Sequence, residues 1–135
     1  YGLHVDSAFM HDPIQNLHLR CDWSCTLFLS DAQSYDGGEL QIETAFGLQS
    51  VKLNAGDLVL YPANSLHQVT PVTLGQRLAC FFWVQSRVQN GGIRQALYDL
   101  DQSIRHLKAR GEADSSTVLQ LVSVYHNLLR EVGQA

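Results

Sequence analysis

Positive charge is scarce in this sequence, which has nine lysine and arginine residues against thirteen aspartate and glutamate residues among 135. The formal net charge of −4 and the lack of a basic block argue against a nucleic-acid-binding surface. No apolar run is long enough to span a membrane, and no signal peptide is visible. We therefore expect neither nucleic acid nor membrane as a partner. A chain that starts at Tyr1 rather than at Met indicates a fragment or a processed product.

Cysteine is also rare, with three residues at Cys21, Cys25 and Cys80. Their number is odd, and they lack the spacing of a zinc finger. Buried thiols in a reducing compartment are the expected state, which predicts a cytoplasmic protein.

The length of the chain suits one domain, but its pattern changes along the sequence. Residues 1–88 consist of short apolar stretches separated by turn residues, which favours an antiparallel sandwich or barrel. Apolar residues then recur at helical spacing, and we expect the stripe of a first helix to contain Ile93, Leu97, Leu100, Ile104 and Leu107. Gly111 suits the C-cap of this helix. Ser115 or Ser116 caps a second helix, whose apolar side is expected to carry Leu119, Val122, Leu129 and Val132.

Histidine and aspartate stand two residues apart in the stretch YGLHVD. On an extended strand His4 and Asp6 point to the same face, either towards a metal ion or towards a surface partner. A third ligand is available in AGDLVLYPANSLHQV, where His67 enters a strand after a turn. Two histidines and one carboxylate suit non-haem Fe(II), because they leave coordination positions open. The other histidines are interpreted as surface or packing residues: His11, His18, His106 and His126.

Arg77 starts the next predicted strand, Arg77–Val88, and shares a face with Ala79, Phe81 and Trp83. A guanidinium buried among such residues needs an anionic partner. The strand pattern offers no acidic partner for it, whereas a ligand carboxylate could accept two parallel hydrogen bonds. The alternative is an exposed arginine at the edge of a sheet.

Together the stretches HVD, YDGGEL, GDLVLYP, SLHQVTPVT and GQRLACFFWVQS resemble the Fe(II)/2-oxoglutarate-dependent dioxygenases. More narrowly, they resemble the bacterial PKHD-type hydroxylases, relatives of prolyl and lysyl hydroxylases. The resemblance covers essentially the whole chain. It implies a mainly β fold, with a double-stranded β-helix (jelly roll) core over residues 1–90 and two C-terminal α-helices over 91–135. Family members carry a sizeable region before the first motif, so the resemblance implies a chain truncated at its N-terminus.

The resemblance also implies roles for individual residues. His4, Asp6 and His67 would bind iron and form the catalytic centre, and Arg77 would hold the distal carboxylate of 2-oxoglutarate. The prolyl hydroxylases often place a tyrosine hydroxyl beside that carboxylate, at the position of Phe28. Either Tyr61 or Thr26 then supplies the hydroxyl, or Arg77 works with less help.

The implied activity is hydroxylation of an unidentified substrate C–H, with peptidyl proline or lysine as candidates, and with formation of succinate and CO2. Ascorbate is implied as the reductant. A metal cupin of other chemistry is the first alternative, because Gly56, Asp57, Pro62 and His67 also suit a cupin strand pair and Glu39 could supply its carboxylate. A non-catalytic sensor of iron or 2-oxoglutarate is the second. An uncovered sheet edge would also allow a homo-oligomer.

Overall fold

In a computed structural model, residues 2–134 are described, and the chain divides into two compact units between Gln85 and Ser86. The first unit contains ten short strands. They are β1 Phe9–Asp12, β2 Leu17–Arg20, β3 Trp23–Phe28, β4 Tyr35–Gly37, β5 Leu40–Thr44, β6 Gly47–Val51, β7 Leu58–Pro62, β8 His67–Val69, β9 Val72–Gly75 and β10 Ala79–Val84.

These strands form antiparallel sheets, two of which share a core cluster. One sheet has the order β10-β3-β7 and another the order β6-β5-β8, while β1 pairs with β2 and β4 with β9. The core cluster joins Leu40 and Ile42 of β5 to Tyr61 of β7. The protein is therefore mainly β, with a jelly-roll-like core, as the sequence predicted. Cys21 and Cys25 are buried free thiols as expected, but Cys80 is exposed.

Strand boundaries differ from the sequence prediction in two places that matter for the site. The last strand, β10, begins at Ala79, so that Arg77 lies in the segment just before it. Residues 34–38, SYDGG, have the composition of a turn, yet they contain β4, which pairs with β9 through a bulge. Glycine permits this pairing, because a Cβ on Gly75 would lie 2.3 Å from the Ser34 carbonyl oxygen.

The second unit contains two helices, α1 Gly91–Leu107 and α2 Ser116–Val132, with a π-helical segment, Lys108–Glu112, after α1. Asn90 and Ser115 cap the two helices through their side chains. The prediction for α2 was wrong at one residue: Leu119 is 58% exposed, and Val118 is the fully buried residue. In residues 2–134, no helix has both the length and the apolar character that crossing a membrane would require.

Candidate active site

His4 and His67, 63 positions apart in the sequence, are joined through their backbones. The amide of each donates to the carbonyl oxygen of the other, both at 2.9 Å. His67 lies in β8, which is held by β5 through the pairing of Ile42 with His67. The segment around His4 is thereby fixed beside the sheet β6-β5-β8. The ring centroids of the two histidines lie 4.3 Å apart.

Asp6 completes a compact group of three with these histidines. Its Oδ1 lies 3.8 Å from Nε2 of His4 and 3.7 Å from Nε2 of His67. All the ligand atoms lie within 4.8 Å of one another. Within residues 2–134, this is the one group of three or more histidine, cysteine, aspartate or glutamate side chains that converges in this way.

Each of the two histidines is oriented by a contact of its Nδ1 with a backbone carbonyl oxygen. With the proton on Nδ1, His4 donates to the Gly2 carbonyl oxygen at 2.6 Å and His67 to the Ser65 carbonyl oxygen at 3.0 Å. The Nε2 lone pairs then face Asp6. This outer hydrogen bonding is characteristic of histidines that bind metals, and two imidazoles with one carboxylate suit Fe(II).

Two donors hold the outer oxygen of Asp6. The Ser24 hydroxyl and the Trp83 indole N–H, the latter at 3.0 Å, both donate to Oδ2. Oδ1 is left to face the histidines. The carboxylate is therefore oriented for binding a metal through one oxygen, and the residues present fit the ion.

A cavity of about 360 Å³ extends from this group into the sheet. It is lined by His4, Asp6, Ser24, Cys25, Thr26, Leu40, Tyr61, His67, Val69, Arg77, Ala79, Phe81, Phe82 and Trp83. Every residue predicted from the sequence to bind iron or 2-oxoglutarate lies on its wall. The structure thus brings the two parts of the predicted site together in one space.

Arg77 enters this cavity without a protein partner. It is half-buried, its Nε is fully enclosed without a hydrogen bond, and it forms no ion pair with a residue in the described part of the chain. Its guanidinium carbon lies 5.5 Å from the centroid of the Phe28 ring, which offers no donor. A guanidinium whose Nε is enclosed without an acceptor fits a carboxylate ligand.

Two hydroxyls were considered for the distal carboxylate, and that of Tyr61 belongs to a ring beside His67. Tyr61 pairs with Ser24 across β3 and β7, and its ring centroid is 5.1 Å from that of His67. Burial, and secondarily the Asp6 charge, raise the pKa of Tyr61 to about 12, against the hydrogen bonds with Thr26 and Ser24. Tyr61 therefore stays a neutral donor, with Thr26 next to it along the cavity.

Other candidates from the sequence lie outside the group. The Glu39 carboxylate accepts a hydrogen bond from the Thr70 hydroxyl at 2.5 Å, which lowers its pKa. His11 and His18 pair across β1 and β2 as exposed residues. His106 and His126 belong to the two helices of the second unit.

Sequence reasoning missed two features. The sequence places Trp83 on the same face as Arg77 but does not show that its indole N–H donates to Asp6. It assigns no role to Tyr35, because the DGG that follows it is typical of a turn.

A jelly-roll cavity that carries two histidines and one carboxylate defines the class of non-haem iron oxygenase-like proteins. Comparison with known families agrees with that class. Residues 1–85 match the model of the 2OG-Fe(II) oxygenase superfamily, and residues 92–133 match the PKHD-type hydroxylase C-terminal domain.

The individual relatives that match this chain are named as PKHD-type hydroxylases. A PKHD-type hydroxylase of Teredinibacter turnerae is 65% identical over 130 residues, which is 96% of this chain and 57% of the relative. The PKHD-type hydroxylase YbiX of Escherichia coli is 56% identical over 131 residues, 97% of this chain and again 57% of the relative. The chain belongs to the 2OG-Fe(II) oxygenase superfamily. Its C-terminal part and these relatives make it similar to the PKHD-type hydroxylases. It spans a little over half the length of these relatives.

Proposed function

We propose that this chain carries the catalytic core of an Fe(II)- and 2-oxoglutarate-dependent dioxygenase that hydroxylates a substrate C–H. His4, Asp6 and His67 would bind the iron, and residues 1–90 would form the catalytic part, with 91–135 as a helical extension. The observation that supports this most strongly is one cavity shared by the three ligands and Arg77, which forms no ion pair with any of residues 2–134.

The residues along the cavity suggest how 2-oxoglutarate would be held. Arg77 would pair with its distal carboxylate through parallel hydrogen bonds. Thr26 and Tyr61, which both line the cavity, would donate hydroxyl hydrogen bonds to the rest of the molecule. When bound, iron, 2-oxoglutarate and O2 supply the redox chemistry, in which one oxygen atom enters succinate with release of CO2 and the other enters the substrate.

The chain's own side chains would orient these groups and limit the access of water. Trp83 and Ser24 keep Asp6 turned towards the histidines, and the buried wall of β3 closes one side of the cavity. Phe81 lies on the cavity wall, is 58% exposed and packs edge-on against Trp83, so it suits contact with an apolar part of a substrate.

The choice between a prolyl and a lysyl substrate can be argued from charge. Asp6 is the one carboxylate among the described residues that line the cavity, and it would be engaged by the metal. A lysyl ammonium in the cavity would then lack an anionic partner. We therefore propose an uncharged C–H substrate, such as a peptidyl proline, in preference to lysine.

Ascorbate as the reductant, self-association and a cytoplasmic location complete the proposal. The three free thiols are the feature that supports the location. Ascorbate consumption during turnover and the mass of the particle in solution would test the other two.

The test is an anaerobic titration with Fe(II) and then with 2-oxoglutarate, which should produce the visible metal-to-ligand charge-transfer band of the chelate. We expect the band in the wild-type chain and its loss in Asp6→Ala. Iron binding without a band would favour the cupin alternative. A band without succinate formation on exposure to O2 and candidate peptides would favour the sensor. If no iron binds, the proposal is wrong for this chain.

A further inference from the structure

Tyr35 carries a buried hydroxyl that the site described above does not use. The residue is 2% exposed, and its hydroxyl has no hydrogen-bond partner among residues 2–134. Buried hydroxyls are nearly always hydrogen-bonded, because leaving one unpaired is unfavourable. The position is firmly set, since Tyr35 pairs with Gly75 between β4 and β9 and Lys52 donates to its carbonyl oxygen at 2.7 Å.

Arg77, which lies close to Tyr35, carries a buried donor that also lacks a partner among residues 2–134. Its Nε–H is a donor that is buried without an acceptor. A Cβ placed on Gly38 would lie 2.9 Å from Cδ of Arg77 and 2.9 Å from Cε2 of Tyr35. The distance from Cδ of Arg77 to Cε2 of Tyr35 is therefore at most twice 2.9 Å. The absence of a side chain at Gly38 is what lets them approach each other.

Among residues 2–134, the hydroxyls that line the cavity have partners elsewhere. Ser24 donates to Asp6, and Tyr61 is hydrogen-bonded to Thr26 and Ser24 near the histidines. The ring nearest to the guanidinium, that of Phe28, has no polar atom. Tyr35 does not line the cavity, whereas Arg77 does. The Tyr35 hydroxyl would therefore act through Arg77 and would not contact a ligand directly.

We propose that Tyr35 is a positioning residue for Arg77, accepting a hydrogen bond from its Nε–H when the terminal nitrogens pair with the distal carboxylate of 2-oxoglutarate. The inference rests on the proposed function. A bidentate pair with a carboxylate fixes the plane of the guanidinium, and the pair is strongest when the remaining donor is also satisfied. Lys52, whose Nζ lies 4.2 Å from the centroid of the Tyr35 ring, holds that ring in place.

Tyr35→Phe tests the role, with Tyr98→Phe as a control because Tyr98 is exposed on α1. We expect Tyr35→Phe to weaken 2-oxoglutarate binding to the Fe(II) protein about 10- to 100-fold, as a lost hydrogen bond to a charged group would. Fe(II) affinity and binding of 2-oxobutanoate, which chelates the metal but lacks the distal carboxylate, should not change. Equal weakening of both oxo acids, or of neither, would overturn the inference.

Two further measurements separate positioning from direct contact and from a purely structural role. In an Arg77→Ala background, Tyr35→Phe should have no further effect on 2-oxoglutarate affinity, and a further loss would overturn action through Arg77. The unliganded Tyr35→Phe chain should unfold at the same or a higher urea concentration, since its hydroxyl makes no hydrogen bond there. A lower midpoint or a failure to fold would show that the hydroxyl is structural, which would also overturn the inference.

Binding of 2-oxoglutarate to the wild-type chain distinguishes a failure of this inference from a failure of the proposed function. If it binds 2-oxoglutarate and Tyr35→Phe binds equally well, the inference fails and the proposed function stands. If the wild-type chain with bound iron does not bind 2-oxoglutarate, the proposed function fails and the inference fails with it.

Discussion

His4 and His67 form a reciprocal pair of backbone hydrogen bonds, each 2.9 Å long, although 63 positions separate them in the sequence. The geometry of the three converging side chains thus depends on main-chain pairing as well as on side-chain packing. Asp6, two residues after His4, is carried to the same side of this extended segment. The position of the candidate metal ligands should therefore tolerate the loss of any one side chain, which makes single substitutions informative.

Asp6→Ala should abolish Fe(II) binding and with it 2-oxoglutarate turnover. The substitution removes the one carboxylate of the group and leaves two imidazoles that face each other without an anion. Iron content after anaerobic loading and succinate formation measure the two effects.

Asp31→Ala is the matched control, because Asp31 is an exposed aspartate whose backbone carbonyl, and not its side chain, accepts the local hydrogen bonds. It should retain iron. Full turnover of Asp6→Ala with bound iron would contradict the role given to Asp6.

Trp83→Phe should lower Fe(II) affinity by about 10-fold while preserving the fold. Phenylalanine keeps an aromatic ring in the wall but removes the N–H that donates to Oδ2 of Asp6 at 3.0 Å, so the carboxylate becomes less well oriented. Competition with a chromophoric chelator measures the affinity. Trp23→Phe, at the tryptophan that does not line the cavity, should leave it unchanged. Equal affinities in the wild type and Trp83→Phe would mean that Ser24 alone orients Asp6.

Glu39→Gln should destabilise the protein at neutral pH but not in acid, and it should leave Fe(II) affinity intact. The Thr70 hydrogen bond lowers the pKa of Glu39 below its ordinary value of 4.5. A lowered pKa means stabilisation that is present above 4.5 and is lost as the pH falls through the folded-state value. The difference in urea midpoint between the variant and the wild type should therefore shrink in acid. Loss of iron from Glu39→Gln would instead support the cupin alternative, in which this carboxylate is a ligand.

Much of the site could be predicted because strands impose a period of two. That period placed His4 beside Asp6 and aligned Arg77 with Ala79, Phe81 and Trp83, all of which line the cavity. The meeting of His4 with His67 is a pairing between segments far apart in the sequence. No local pattern contains it, and the resemblance to a known family supplied it.

Features that depend on tertiary contacts could not be predicted from the sequence. Gly37 and Gly38 predict a turn, yet Tyr35–Gly37 pairs with a strand more than thirty residues later, and this pairing buries Tyr35. Trp83 has an apolar ring and one polar N–H, and only the folded chain shows that the N–H meets Asp6. Leu119 is exposed whereas its neighbour Val118 is buried, because the buried side of α2 runs through Val118 and Val122, and periodicity alone does not choose well between adjacent apolar residues.

Gly75→Ala should be clearly more destabilising than Gly56→Ala, although both glycines have positive φ. A Cβ on Gly56 would meet nothing within 4 Å, so we expect that substitution to lower the free energy of unfolding by about 1–2 kcal/mol, the strain of a left-handed residue. A Cβ on Gly75 would also lie 2.3 Å from the Ser34 carbonyl oxygen and 2.9 Å from Cα of Tyr35. These are backbone atoms, so β4 itself must move away from β9. Urea unfolding of the two variants measures the difference, and equal losses would show that β4 can shift freely.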